Sequence, residues 1–261
     1  MTNQHVQTTD PVRGQFGAVA AAYATSTYHS SGPDLAALVS AAGLTGRERV
    51  LDLGCGAGHT ALAVAPHAAA VMAVDLTPEM LTVASGLAEA RGITNITFRS
   101  ADVAALPFED AAFDLITSRV SAHHYADPEA ALGEAARVLR PGGSILLIDT
   151  VAPEDPALDT FYNAVELLRD RSHVRNCRVS EWKRLLAGAG FEPETLLEFT
   201  IELDGASWVE RSRTPAAMVA AIRALFENAT PAARAAFDLR DGAAWGWTIP
   251  AALIKGVRSE T

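Results

Sequence analysis

From about residue 49 to residue 200, short runs of consecutive apolar residues alternate with alanine-rich stretches. RVLDL (Arg49–Leu53), AVMAVD (Ala70–Asp75), FDLITS (Phe113–Ser118) and SILLID (Ser144–Asp149) are nearly continuous apolar runs. Ile96–Arg99 adds a short β-branched run. Such runs predict strands buried on both faces. Between them, Thr60–Ala65 predicts a helix stopped near Pro66. Thr77 as N-cap, Pro78 at the first position and Gly92 as stop predict a second, ending about Arg91. Asp127 caps a third over Pro128–Leu139, ended by Pro141-Gly142-Gly143, and Ser180 caps a fourth over Glu181–Ala187. Leu196–Leu203 and Thr248–Val257 predict two final strands. This alternation is that of an α/β fold: a parallel sheet with helices on both faces.

Three segments fall outside the alternation. Phe16–Tyr28 predicts an alanine-rich helix carrying Phe16, Tyr23 and Tyr28. Residues 154–179 are polar, with arginines at 169, 171, 175 and 178. Residues 205–242 predict a helical insert in which Pro215 and Pro231 start two helices. Insertions of this kind cover a site or form an interface. The expected organisation is therefore a helical lid over residues 1–45, then a core over 46–261 with inserts at about 154–179 and 205–245.

Composition narrows the chemistry. With 261 residues, 49% hydrophobic, the chain can bury a large core without disulfides. The excess of 31 acidic over 21 basic residues gives a net charge of −10, which argues against nucleic acid and anionic membrane surfaces as partners. Lys183 and Lys255 are the only lysines and neither sits in a glycine-rich loop, which disfavours Schiff-base and phosphate-loop chemistry. Two cysteines, Cys55 and Cys177, and a polar N-terminal stretch without a signal-peptide core point to a cytoplasmic protein.

The strongest motif is LDLGCGAG, Leu51 to Gly58, at a predicted strand-to-helix turn. Glycines there let a ligand approach the backbone, and the first turn of a doubly wound sheet binds nucleotide-like ligands. The spacing is Gly-x-Gly-x-Gly, and Asp52 sits inside the strand end. An acid beside the helix N-terminus is ill-suited to a pyrophosphate, which argues against a nicotinamide oxidoreductase, and suits an ammonium group. Asp75 ends the second strand, where a carboxylate can accept from both ribose hydroxyls; a helix-cap role is the alternative. Asp102, in Ala101-Asp102-Val103, suits an adenine amino group or is an ordinary loop residue.

In this order LDLGCGAG, AVDLTPEML, ADVAALPFEDAAFDLI and ARVLRPGGSILLID, within residues 15–200, resemble the class I S-adenosylmethionine-dependent methyltransferases. The subgroup is similar to the ubiquinone/menaquinone C-methyltransferases and their small-molecule relatives. The resemblance implies a Rossmann-like, doubly wound sheet of seven strands, mostly parallel, with the last strand antiparallel and helical inserts as a lid. It implies S-adenosylmethionine as cofactor and a small-molecule methyl acceptor, with no nucleic acid or membrane partner, in a monomer or homodimer. By the same resemblance Asp52, Gly54, Gly56 and Gly58 line the methionine part of the cofactor. Asp75 holds the ribose, Leu76 packs on the adenine, and Asp102 and Val103 face the adenine edge. Ser118, Arg119 and Val120 border the methionine end, and Phe16, Tyr23 and Tyr28 close over the cofactor, unless that aromatic stripe is plain packing.

Histidines supply the candidate catalytic groups. His123 and His124 follow the fourth strand at the ligand-binding edge of the sheet. His123 suits a general base, with a surface histidine as the alternative; His124 is a neighbouring substrate-binding candidate. His29 is a second candidate base. In Ser172-His173-x-Arg175, His173 and Arg175 can bind an anionic or carbonyl group, or be solvated loop residues. Trp208, Trp245 and Trp247 read as core. No metal is expected, because no cysteines or histidines stand at structural zinc spacing. A protein that binds S-adenosylmethionine without transferring its methyl group shares every cofactor motif and stays open at this level.

Overall fold

The structure is a computed structural model that describes residues 11–17 and 32–260. β1 (Arg49–Leu53), β2 (Ala70–Asp75), β3 (Ile96–Ser100), β4 (Phe113–Arg119) and β5 (Leu139–Thr150) run parallel. β7 (Gly246–Arg258) pairs antiparallel with both β5 and β6 (Phe191–Asp204). All seven belong to one sheet in the order β3-β2-β1-β4-β5-β7-β6. The winding reverses between β1 and β4, and ligands of such sheets bind outside the carboxyl ends of the strands at that reversal.

The apolar runs are buried on both faces, and successive residues go to opposite layers. Leu51, Leu53, Ile116, Ile145 and Leu147 pack with Leu132 of helix Pro128–Val138 and with Trp182 and Leu186 of helix Val179–Gly188. Their neighbours Val50, Leu115, Leu146 and Ile148 pack on the other face with Leu38, Ala61 and Val64. Leu38 belongs to helix Pro33–Ala42, so a lid drawn over residues 1–45 takes in a helix that is part of the sheet's own covering.

A third cluster lies under helices Gly205–Arg211, Ala216–Glu227 and Pro231–Phe237. Tyr162, Trp208, Phe226, Phe237 and Trp247 are almost fully buried in it, and the Trp208 and Trp247 rings meet edge to face at 5.0 Å. Each large buried side chain contributes about 1.5–3 kcal/mol. This cluster holds the insert against β6 and β7.

Three local expectations are corrected. The polar stretch 154–179 contains helix Pro156–Arg169, capped by the Asp155 carboxylate on the amides of Ala157 and Leu158. It is amphipathic, and its buried stripe includes the polar Asp159 and Glu166 beside Tyr162 and Val165, which disguises the period. Ser180 is not the cap of its helix: the helix starts at Val179, Arg178 is the capping position, and the Ser180 hydroxyl donates to Glu154. β6 begins at Phe191 rather than Leu196, through a Glu-Pro-Glu stretch that an edge strand tolerates.

Gly58 caps helix His59–Val64 at φ 82°, and a Cβ there would lie 2.8 Å from Ala84 Cβ. Gly58→Ala should cost about 1–3 kcal/mol in urea unfolding, from strain and overpacking together. Gly86→Ala, in helix Pro78–Ala90 with open space around it, should stabilise by about 0.5–1 kcal/mol. Equal effects of the two changes would remove the packing account of Gly58.

Candidate active site

β1 and β2 end side by side, and Asp75 joins the turns that follow them. Its Oδ2 accepts from the Gly56 amide and its Oδ1 from the Thr77 amide, both at 2.8 Å. Burial raises its pKa, against the pull of those two bonds. An ionised carboxylate has about four acceptor positions, so two bonds to the backbone leave room for two hydroxyls. Gly54, at φ 61°, brings the turn within reach of Ser121, whose Oγ would lie 2.7 Å from a Cβ at that position.

Asp52 lies beneath the turn. Its Oδ1 accepts from the Thr117 hydroxyl at 2.7 Å, and its Oδ2 is buried without a hydrogen-bond partner. Burial pushes its pKa up to about 7. Asp102 uses Oδ1 to accept from the Ala104 amide at 2.9 Å, a turn within its own loop.

These residues surround a large opening at the switch point. Gly54, Gly56, Asp75, Leu76, Asp102, Val103, Arg119 and Val120 line it, with Val12 and Phe16 from the helical segment 11–17 on its outer side. The empty volume is about 1040 Å³, open solvent included. Two expected lining residues are not in the wall: Asp52 is buried beneath the glycine turn, and Gly58 packs on Ala84. Ser118 also stands behind the wall, its hydroxyl 3.0 Å from the Tyr125 hydroxyl. Arg119 is buried and bonds through Nε to Asp34 at 2.6 Å.

A second opening adjoins the first, and Phe16, Val120 and His124 line both. His123, Thr150, Glu166, Arg169, Asp170 and Arg211 add polar lining, and Ile201, Leu203, Trp208 and Ile249 apolar lining. Asp149 holds His123 twice: Oδ2 accepts from the backbone amide at 2.9 Å, and Oδ1 lies 2.6 Å from Nδ1. Burial works to lower the His123 pKa, but the charge and bond of Asp149 outweigh it and raise the value. The carboxylate can only accept, so the His123 proton sits on Nδ1 and the lone pair on Nε2.

His124 differs from its neighbour. Burial and the adjacent His123 hold its pKa down to about 4. Its Nδ1 lies 2.9 Å from the Ser172 carbonyl oxygen, so a neutral ring donates there. The Phe16 ring meets it edge to face at 5.0 Å.

His173 and Arg175 line neither opening. His173 is buried, its Nε2 3.0 Å from Asn163 Oδ1, and burial first among several causes lowers its pKa well below the usual value. Arg175 pairs with Asp159 at 2.7 Å and Glu181 at 3.0 Å. Both residues fasten the 170–178 segment to its helices. Tyr23, Tyr28 and His29 lie outside the described residues.

Sequence reasoning passed over Asp149, Glu166, Asp170 and Asp34. Asp149 had the same signal as Asp75, an acid at the end of a buried strand. Nothing marks Asp34, because its meaning depends on a partner 85 residues away. Among the described residues, no cluster of His, Cys, Asp or Glu is arranged to hold a metal ion, and no helix is long and apolar enough to cross a membrane.

Comparison with known proteins agrees with this geometry. Residues 51–147 match the family model for a methyltransferase domain. The uncharacterized methyltransferase YcgJ of Bacillus subtilis is 37% identical over 239 residues, covering 90% of this chain and 94% of that one. Its crystal structure superposes with a TM-score of 0.85 over 87% of this chain and 98% of that chain. A demethylmenaquinone methyltransferase of Clavibacter sepedonicus is 31% identical over 231 residues, 85% of this chain and 91% of that protein. With the sheet order, the glycine turn and the acids at the strand ends, these matches show that the chain belongs to the class I S-adenosylmethionine-dependent methyltransferases.

Proposed function

We propose that the large opening holds S-adenosylmethionine and that the second opening holds a small-molecule methyl acceptor beside His123. The observation that carries this reading is the shared wall. Two cavities of different chemistry meet at Phe16, Val120 and His124, one edged by Asp75 and Asp102, the other by the His123–Asp149 pair.

The residues of the first opening fit the cofactor. Asp75 has acceptor capacity left for a ribose after its two backbone bonds, and Leu76 and Val103 offer apolar surface to an adenine. Asp52, buried beneath the glycine turn and outside the lining, favours the cofactor's ammonium group through its charge. S-adenosylmethionine supplies a methyl carbon on a positively charged sulfur, open to in-line attack.

The chain's own contribution is alignment and, for a nucleophile that must lose a proton, a base. Holding two reactants in line can remove about 7–11 kcal/mol of a barrier. His123 presents Nε2 as acceptor because Asp149 occupies Nδ1, and Asp149 stabilises the imidazolium that forms. The second opening has an empty volume of about 620 Å³, open solvent included, on the scale of a small-molecule site. The acidic surface supports a small acceptor over a nucleic acid.

Two measurements test this. Titration calorimetry should detect S-adenosylhomocysteine, with affinity rising as the pH rises through about 7. Asp52 must be ionised to hold an ammonium, and burial keeps it partly protonated below that pH. Asp52→Asn should flatten the dependence; a flat profile in the unaltered protein would remove Asp52 from this role. With an acceptor in hand, His123→Ala should lower kcat about 10²–10⁴-fold while leaving cofactor affinity nearly unchanged. The acidic limb of kcat should fall above the ordinary histidine value, because His123 works only when neutral and Asp149 raises its pKa. Asp149→Asn should move that limb to lower pH, and an unmoved limb would argue against His123 as the base.

A further inference from the structure

The second opening is rich in lone pairs. His123 presents Nε2 because Asp149 occupies Nδ1, and His124 presents Nε2 because its Nδ1 donates to the Ser172 carbonyl oxygen. Glu166 and Asp170 add two carboxylates to the same lining. Asp170 Oδ1 accepts from the Ser172 amide at 2.8 Å and the Ser172 hydroxyl at 2.6 Å, and among the described residues its Oδ2 makes no hydrogen bond. Glu166 is 6% exposed and only loosely paired, with Arg169 at 3.6 Å.

The donors in that lining are already in use. The Thr150 hydroxyl donates to Asn176 Oδ1 at 2.6 Å. Arg169 donates through Nε to the Trp208 carbonyl oxygen, and its guanidinium lies over the Trp208 ring at 5.1 Å. Arg211 has a partner of its own. Charge leans the same way, because Asp149, Glu166 and Asp170 stand against Arg169 and Arg211, and the negative charges of all three acids reach His123. Burial raises the Glu166 pKa, while Arg169 and then His123 pull it down. A cation entering the opening would therefore stabilise a carboxylate that burial penalises.

A ligand that satisfies this wall brings hydrogens and positive charge. An ammonium has three donors and no lone pair, a hydroxyl has one donor, and a carboxylate has none. Ile201, Leu203 and Ile249 line the same opening and suit an apolar body on the ligand.

We propose that the methyl acceptor is a small amine with an apolar body, held as its ammonium by Glu166 and Asp170 and methylated on nitrogen. This rests on the second opening being the acceptor site. His123 Nε2 takes one proton from the ammonium. The freed nitrogen lone pair forms the new bond to the methyl carbon as the carbon–sulfur bond breaks, and the electron pair of that bond stays on sulfur, leaving a neutral thioether. The product is an N-methylammonium, and His123 returns its proton to solvent.

The test uses matched ligands that share one apolar body: 2-phenylethylamine, 2-phenylethanol and 3-phenylpropanoate, with hexylamine, hexan-1-ol and heptanoate as a second set. Calorimetry on the protein saturated with S-adenosylhomocysteine should show each amine binding roughly tenfold or more tighter than its alcohol, the scale of a charge-assisted bond, with the carboxylate weakest. With S-adenosylmethionine, mass spectrometry should find the amine carrying one added methyl group. Glu166→Gln and Asp170→Asn should each bring amine and alcohol to within about threefold, mainly by weakening the amine. Should one variant fail to fold, the other and the ranking in the unaltered protein decide the matter. An alcohol or carboxylate that binds as tightly as its amine would overturn the proposal and leave the acceptor opening standing. So would variants that weaken amine and alcohol by the same factor, the signature of a structural role. Binding of none of the six ligands would overturn this proposal and the acceptor reading together.

Discussion

The carboxylate of Asp75 ties together the turn after β1 and the turn after β2. It accepts from Gly56, in the glycine turn, and from Thr77, at the start of the next helix. Charge-assisted bonds to backbone amides are strong, and both amides lie where no strand or helix partner serves them. The glycine turn therefore owes its shape to an acid on the neighbouring strand, and the same acid keeps acceptor capacity toward the cavity. The other strand ends repeat the device. Arg119 at the end of β4 reaches Asp34 on a covering helix, and Asp149 near the end of β5 fastens the loop that bears His123. Parallel strands bring all these ends to one edge, so the charges that brace the loops are also the charges a ligand meets.

Much of this was legible before any coordinates, for a physical reason. Strands covered on both faces must be continuously apolar, so β1, β2, β4 and most of β5 announce themselves. A glycine-rich turn followed by a strand-end acid is a local pattern, and Asp75, Leu76, Asp102, Val103 and Arg119 all line the opening beside it. The failures share a cause as well. Helix Pro156–Arg169 and the start of β6 bury polar side chains or lie at a sheet edge, and both situations blur the hydrophobic period.

Residue type misleads where satisfaction is decided far away in the chain. His173 and Arg175 have the chemistry of ligand-binding groups, yet Asn163, Asp159 and Glu181 occupy them. Gly58 belongs to the turn motif, yet its lack of a side chain serves the close approach of Ala84. Asp149 went unremarked although it fixes the tautomer of the histidine that was singled out.

The place of β7 has a consequence for how the molecule is assembled. β7 comes last among the strands but sits inside the sheet, pairing with β5 on one side and β6 on the other. Ser144 meets Val257 across more than a hundred residues of chain. During synthesis β5 and β6 each wait with a bare edge until β7 has left the ribosome, and long-range pairing of this kind is slow. The acidic residues spaced along β6, Glu192, Glu194, Glu198 and Glu202, are well suited to keeping that waiting edge from finding the wrong neighbour.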